Sequence, residues 1–159
     1  METDIPRLAG AHHIKLPVRE LARSEEWYGR VLGYRRAAEF AEDGVVMGIG
    51  MIHPDGGPDF GLRVDPARAE AAAGFDFFAI GVPDQAAMEA LAARLDALGE
   101  SHGGVVRTKR GWILPLLRDP DGHEVRFFSV TEHTPSAPGE VLRVEDGRGL
   151  ISAARERIA

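Results

Sequence analysis

The side chains that could do chemistry in this chain are imidazoles, carboxylates and guanidinium groups, because it has six histidines and no cysteine. The lack of cysteine excludes thiol nucleophiles, disulfides and cysteine-ligated zinc or iron–sulfur sites. A divalent metal would need three or more histidine or carboxylate donors that converge on one point. No phosphate-binding glycine loop and no nucleophile elbow occur. Any chemistry therefore depends on where a few histidines, acids and arginines meet.

Two residues are the main candidates for contact with a ligand or substrate. His13 is the candidate catalytic residue, since an imidazole can serve near neutral pH as a general base or a hydrogen-bond partner; it could also simply be satisfied by a neighbour. Arg126 could clamp an anionic group with its planar guanidinium, or it could pair with Glu124 or another acid across the sheet. We expect removal of Arg126 to leave the fold intact, and we expect His123 to be solvated in a turn.

Large apolar side chains at strand positions could line a pocket beside these two groups. Aromatic and methionine residues at this spacing also form ordinary protein core, so both interpretations stay open. The predicted ligand-binding residues are His13, Met47, Phe77, Trp112, Arg126 and Phe128.

Alternation of apolar and polar residues predicts the strands that would position these side chains. In residues 13–18 the apolar side chains share one face and His13 lies on the other. A helix that ends at Gly33 follows, and a second helix is expected to end at Gly99. The other predicted strands are 45–52, 60–64, 77–82, 105–108, 112–118 and 124–130.

The recurring order predicts an α+β fold of two βαβββ modules, at about 10–66 and 75–132, within a single domain at 10–132. An unrelated α+β sandwich is the alternative. Residues 133–159 change to Pro, Ser and Gly and then to a polar stretch. Apolar residues at helical spacing make this C-terminal extension partly helical by prediction. They are Leu150, Ile151, Ala154 and Ile158.

The two modules resemble the vicinal oxygen chelate superfamily, which includes glyoxalase I, fosfomycin-resistance proteins, extradiol dioxygenases and bleomycin-resistance proteins. Three segments carry the resemblance: His-His-Ile-Lys-Leu-Pro-Val at 12–18, Trp27-Tyr28 with Val-Leu-Gly-Tyr at 31–34, and Gly111-Trp112 leading into Arg-Asp-Pro-Asp-Gly-His-Glu-Val at 118–125. The resemblance covers about residues 10–132. It implies a curled mixed sheet that forms a cup-shaped cavity with the functional site inside.

The metal-dependent members of the family chelate a divalent ion in that cup. The resemblance places His13 at the first ligand position, but Phe77 at the second and Arg126 where the enzymes carry a glutamate. The additional ligand of the glyoxalases falls near Gly61. Phenylalanine, arginine and glycine side chains cannot supply donors to the ion. We therefore predict no metal and no other cofactor, with a divalent metal as the alternative.

The resulting hypothesis is a metal-free small-molecule-binding protein that resembles bleomycin-resistance and glyoxalase-like proteins and holds an apolar or aromatic ligand in the cup. One alternative is an enzyme. It would be either a glyoxalase-type metalloenzyme (lyase, isomerase or dioxygenase) or a metal-independent catalyst that uses His13 and Arg126. Another alternative is a structural or regulatory protein whose cup is filled by its own C-terminal extension.

Composition bounds the partners and the location. The chain has 159 residues, 44% hydrophobic and 28% charged, which is typical of one soluble globular domain. Its net charge of −6 disfavours nucleic acids and anionic membranes. The sequence has no signal peptide or membrane-spanning run, so we expect a cytoplasmic protein. A homodimer is expected because a curled sheet leaves edges that a two-fold partner can cover, and the cup could lie within one chain or be shared by two.

Overall fold

The computed structural model describes residues 7–141, 144–145 and 150–151 of the chain. The chain forms two compact units, residues 1–68 and 69–159. Each of these units contains one four-stranded sheet. Within the described ranges, no helix is long and apolar enough to cross a membrane.

The first unit is a βαβββ module. Its strands lie in the order β1-β4-β3-β2; β1 and β4 are parallel, and the other neighbours are antiparallel. A parallel pair at one edge needs a crossover connection, which the helix begins. The elements are β1 (His13–Val18), α1 (Leu21–Leu32), β2 (Arg35–Glu42), β3 (Val45–Ile52) and β4 (Asp59–Val64).

Helix α1 covers one face of this sheet. Its buried side chains include Trp27, Tyr28 and Val31, which recur at helical spacing. The helix ends where predicted, at Gly33, whose φ of 82° is left-handed and whose N–H bonds to the carbonyl of Gly29. The sequence therefore predicted this helix and its end correctly.

Strand β2 is the element of the first unit that the sequence analysis missed. All eight of its residues are exposed, and the strand lies at the edge of the sheet. A two-residue turn, Asp43-Gly44, joins it to β3, and both turn residues have positive φ, at 50° and 78°. That conformation matches the twist of a tight hairpin.

The second unit repeats the same topology. Helix α2 (Pro66–Ala72) contains the boundary between the units. The strand order is β5-β8-β7-β6, again with a parallel first pair. Both sheets thus confirm the predicted α+β fold of two βαβββ modules. The elements are β5 (Phe78–Val82), α3 (Gln85–Leu98), β6 (Val106–Thr108), β7 (Gly111–Arg118) and β8 (Glu124–Ser129).

Helix α3 packs on β7 and β8. Asp84 caps its first turn by accepting a hydrogen bond from the backbone N–H of Ala87 at 2.9 Å. Met88 and Leu95 are fully buried on one side of the helix, as is Leu114 on the strand beneath. Side chains of this size each stabilise the core by about 1.5–3 kcal/mol when buried.

The described part of the C-terminal extension differs from the helix predicted there. Leu150–Ile151 form strand β10, which pairs antiparallel with β9 (Val144–Glu145). Backbone pairing with a neighbouring segment thus replaces helical hydrogen bonds at these two apolar positions. Ala154 and Ile158, the other residues of the predicted helix, lie outside the described residues.

Candidate ligand-binding site

The sheet of the first unit carries an open cavity of about 590 Å³ on one face. Strand alternation decides which side chains reach it. Phe60 and Leu62 of β4 are buried on the face that α1 covers, so Asp59, Gly61 and Arg63 belong to the opposite face. The cavity therefore lies on the side of the sheet that His13 also faces, and His13 lines it.

The middle of the cavity floor is nearly bare backbone. One row of paired residues crosses the sheet from Lys15 through Gly61 and Gly50 to Ala38. Three of these four residues have no side chain or only a methyl group. Because neighbouring strands are about 4.8 Å apart, they leave a flat strip roughly 10 Å across.

One wall of the cavity comes from the next row, where Phe40 pairs with Gly48 and Gly48 pairs with Arg63. A Cβ placed on Gly48 would lie 3.7 Å from Cδ2 of Phe40, and one on Gly50 would lie 3.8 Å from its Cε2. The Phe40 ring therefore borders both glycines. It is also 56% exposed, which leaves it available to a ligand.

An ion pair completes this wall. Arg63 Nη1 lies 2.6 Å from Oε1 of Glu42, and both residues line the cavity. The hydrogen bond from Arg63 lowers the pKa of Glu42, and Glu42 in turn raises the pKa of Arg63. The guanidinium is thus already balanced by an acid.

The other side of the cavity holds imidazoles and a carboxylate. His13 is the register partner of Asp59. Its ring meets that of His12 nearly at a right angle, with Nδ1 atoms 3.1 Å apart. Both histidines line the cavity. These groups can exchange hydrogen bonds with a bound molecule.

Tyr34 supports the start of β4 beneath this side. Its hydroxyl donates a hydrogen bond of 3.1 Å to the carbonyl of Pro58. Burial, together with the negative charge of Asp59, raises the pKa of Tyr34 to about 12. The phenol therefore stays neutral and acts as a fixed donor next to the cavity residue Asp59.

Arg126, predicted to contact a ligand, lies in the second unit and is held by acids. Its Nε is 2.7 Å from Oε1 of Glu124, and its Nη1 is 2.9 Å from Oδ2 of Asp76. Glu124 Oε1 also accepts a hydrogen bond from the backbone N–H of Leu116, which has a φ of 65° at a bulge in β7. This arrangement favours the ion-pair interpretation of Arg126. We therefore expect, in contrast to the expectation from sequence, that removal of Arg126 destabilises the fold, because buried Glu124 would lose its counter-charge.

Phe77 and His123 meet at the end of the second sheet. Phe77 precedes β5, is 51% exposed and packs its ring against that of His123, with centroids 6.1 Å apart. His123 was expected to be solvated, but it is fully buried. Asp119 explains the difference, because its carboxylate accepts from Nδ1 of His123 at 2.8 Å and from two backbone N–H groups.

Strand alternation places the side chains of Met47 and Trp112 on the helix-covered faces of their sheets, and not on the faces predicted to contact a ligand. Met47 shares the parity of Ile49, which is buried under α1, and it does not line the cavity. Trp112 shares the parity of Leu114 on the face toward α3, and the Arg107 guanidinium lies 5.3 Å from its ring centroid. Phe128 is half-buried and pairs with Gly81 on the face of Arg126.

The donor set does not fit the metal centre implied by the family resemblance. A Cβ at Gly61 would lie 3.9 Å from Cδ2 of His13, so a side chain there could reach the imidazole, but glycine supplies none. Phe77 offers no donor, and Arg126 is a cation bound to two acids. Among the described residues, no group of three or more His, Asp or Glu could hold an ion.

Most of the cavity residues were not predicted from the sequence. Of the six predicted site residues only His13 lines it, while Lys15, Phe40 and the glycine floor were not singled out. A signal was present in the Gly-x-Gly of β3, at Gly48 and Gly50. Glycine inside a strand often marks a place where a ligand or another backbone approaches closely.

Comparisons with known proteins agree with this architecture. A family model described as Glyoxalase/Bleomycin resistance protein/Dioxygenase superfamily matches residues 10–127. None of the curated proteins matches the chain significantly. Two βαβββ modules with an open sheet face define the class of fold. The chain belongs to the glyoxalase/bleomycin resistance protein/dioxygenase superfamily.

Solved structures show the same fold at low sequence identity. A glyoxylase/bleomycin resistance protein/dioxygenase domain from Frankia sp. EAN1pec is 23% identical, with a TM-score of 0.62 over 77% of this chain and 93% of that one. Lactoylglutathione lyase from Agrobacterium tumefaciens is 18% identical, with a TM-score of 0.62 over 78% and 96%. TnmS3, an antibiotic binding protein from Streptomyces sp. CB03234, is 16% identical, with a TM-score of 0.63 over 79% and 98%.

Proposed function

We propose that this chain is a small-molecule-binding protein that holds an apolar or aromatic molecule in the cavity of the first unit, without metal or other cofactor. The cavity carries the proposal. Its volume of about 590 Å³ lies inside the range of about 300–1,000 Å³ typical of small-molecule sites. A bare sheet floor, a half-exposed phenyl ring and a few polar groups at the edges are the surroundings that such ligands need.

Two further observations support binding rather than metal-dependent catalysis. One structural neighbour is described as an antibiotic binding protein, which makes binding a function compatible with this fold. The donor positions of the metal-dependent relatives hold Phe77 and Arg126 here, and Arg126 is engaged with acids. That engagement also weakens the alternative of a metal-independent enzyme using His13 and Arg126.

A homodimer remains part of the proposal. Strand β2 is a free sheet edge in the first unit, and the adjacent Val45 is 60% exposed. A second copy that covers such an edge would satisfy its backbone groups and bury apolar surface. Light scattering of the purified chain should give the mass of a dimer.

The test of ligand binding is a screen of aromatic and aliphatic fragments by ligand-observed NMR on the full chain. We expect aromatic fragments to bind, and we expect Gly50→Val to abolish their binding by filling the floor. Ala41→Val is the matched control, because it adds bulk to exposed β2 outside the cavity. The proposal fails if neither aromatic nor aliphatic fragments bind, or if binding survives Gly50→Val.

A further inference from the structure

The cavity contains one cation that is not committed to an acid in the way Arg63 is. Lys15 lines the cavity, and in the part of the chain that the structure describes it has no hydrogen bond or ion pair. Its charge contributes only a weak, longer-range lowering of the pKa of Glu42. Lys15 is therefore available to pair with a ligand.

The side chain of Lys15 lies along Gly61 at the floor of the cavity. A Cβ at Gly61 would lie 3.8 Å from both Cγ and Cε of Lys15, so the aliphatic chain runs beside Gly61. This places Cε of Lys15, the carbon that carries the amine, beside Gly61 at one end of the flat strip. Gly50 and Ala38 continue the strip toward the Phe40 ring at the other end.

The shape and the charge together restrict the ligand. A flat molecule makes the most complete contact with bare backbone and a ring wall, because a puckered ring touches the floor with fewer of its atoms. The acids at the cavity are Glu42, which is bound to Arg63, and Asp59, which lies beside His13. An anionic group is thus favoured at Lys15, at the opposite end of the strip from Phe40.

We propose that the site takes a planar aromatic anion, whose ring system lies on Gly50 and Ala38 against Phe40 and whose carboxylate or phenolate pairs with the amine of Lys15. This inference rests on the proposed function, because it specifies the ligand class of the same cavity. It assigns Lys15 and Gly50 as residues that determine specificity for charge and for flatness.

The experiment is a calorimetric titration of the full chain with four matched probes. Naphthoate is a planar anion, naphthamide its neutral analogue, naphthylmethylammonium a planar cation and decalin carboxylate a puckered anion. We expect naphthoate to bind at least about tenfold more tightly than each of the other probes. The neutral and cationic probes lack the charge-assisted hydrogen bond to Lys15, and the puckered probe lacks the face contact; each loss should weaken binding about tenfold. Added salt should weaken the binding of naphthoate and leave the binding of naphthamide unchanged.

Variants locate the charge effect. Lys15→Met keeps the aliphatic chain and should reduce naphthoate binding to the level of naphthamide, whereas Lys15→Arg should retain most of it. Lys109→Met is the matched control, because Lys109 is the only other lysine and pairs with Glu140 in the second unit. It should bind naphthoate like the parent.

The outcomes separate the two proposals. If naphthamide or the cation binds as tightly as naphthoate and Gly50→Val abolishes that binding, the cavity is a binding site but the anion inference is wrong. If decalin carboxylate equals naphthoate, the inference of flatness is wrong. If no probe binds and the fragment screen is also empty, the proposed function fails together with the inference.

Discussion

Arg63 on β4 and Glu42 on β2 form an ion pair, with Nη1 and Oε1 2.6 Å apart, although β3 lies between their strands. The arginine can cross β3 because its partner there is Gly48, which has no side chain to stand in the way. The pair therefore links the interior strand β4 to the edge strand β2 across the cavity face. Glycine has a double role in this module, since it opens the floor and lets the wall form.

This ion pair should make stability depend on pH. The Arg63 hydrogen bond lowers the pKa of Glu42 in the folded chain below that of an unpaired glutamate. A lowered acid pKa means that the contribution is fully present above the unfolded pKa and is lost as pH falls through the folded one. We expect Glu42→Gln to lower the free energy of unfolding at pH 7, and the difference from the parent to vanish in strong acid.

Urea denaturation of the parent and of Glu42→Gln, from pH 7 into strong acid, measures the difference between their free energies of unfolding. Glu26→Gln serves as a control, because Glu26 pairs with Arg30 within α1 and does not touch the cavity. An equal difference at neutral and acidic pH would contradict the assignment of the effect to Glu42.

Substitution by alanine should change stability in opposite directions at two glycines of β3. A Cβ on Gly48 would lie 2.9 Å from the carbonyl oxygen of Leu62, a backbone atom that cannot move aside cheaply. At Gly50 the nearest atoms would be 3.8 Å away, in ordinary contact. We expect Gly48→Ala to lose about 1–3 kcal/mol of stability. Gly50→Ala should be neutral or gain up to about 1 kcal/mol, since alanine restricts the unfolded chain.

Thermal melts of the two single variants decide this prediction. If both variants melt alike, the close approach of β3 and β4 at Gly48 is misplaced.

Arg126 should matter for stability. Its side chain is 11% exposed and that of Glu124 only 4%. Breaking a buried pair from one side leaves an uncompensated charge and costs about 3–5 kcal/mol. We therefore expect Arg126→Met to be strongly destabilised, and the double variant Arg126→Met with Glu124→Gln to recover most of the loss.

Urea denaturation of the parent, the single variant and the double variant provides the measurement. Arg107→Met is the control, because the guanidinium of Arg107 on β6 lies over the ring of Trp112 on β7, and its loss should cost no more than about 1 kcal/mol. A stable Arg126→Met variant would show that the carboxylates do not need this cation.

The metal content of the protein follows from its donor set. His13 lines the cavity beside Asp59, its register partner on β4, but Gly61 provides no donor and no group of three or more His, Asp or Glu occurs among the described residues. Protein purified without chelator or added metal should contain far less than one equivalent of Zn, Ni, Mn, Fe or Co by elemental analysis. Stoichiometric metal that disappears in His13→Ala would refute the metal-free proposal.

The fold was predictable from sequence to a larger extent than the site. Strands and helices with a buried face, such as β1 and α1, have a clear apolar period and were predicted within a residue or two. Strand β2 has no apolar period, because its residues are exposed on both faces. Only the Asp43-Gly44 hairpin turn that follows it indicates its presence. The cavity was missed for a related physical reason. Its floor consists largely of glycines, which have no side chains, and the positions of reactive or aromatic residues do not indicate them.

The His123 expectation differed from the structure, and the choice between the two interpretations of Arg126 stayed open, for another reason. A short-range pattern shows which face a side chain takes but not which partner meets it there. Asp76 lies 50 positions from Arg126 in the chain, and the contact depends on the tertiary fold. For His123 the partner is local, at Asp119, but turns are generally solvated, so its burial could not be expected from position alone.

The buried turn between β7 and β8 should also be slow to exchange its amide hydrogens. Asp119 accepts hydrogen bonds from the N–H groups of Asp121 and His123, and these two residues are 2% and 0% exposed. Hairpin turns ordinarily open on their own and lose their amide protons early. Here an opening event must expose a carboxylate and an imidazole that the sheet has enclosed. The turn therefore belongs to the same cooperative unit as the strands it connects, and deuterium should enter both together.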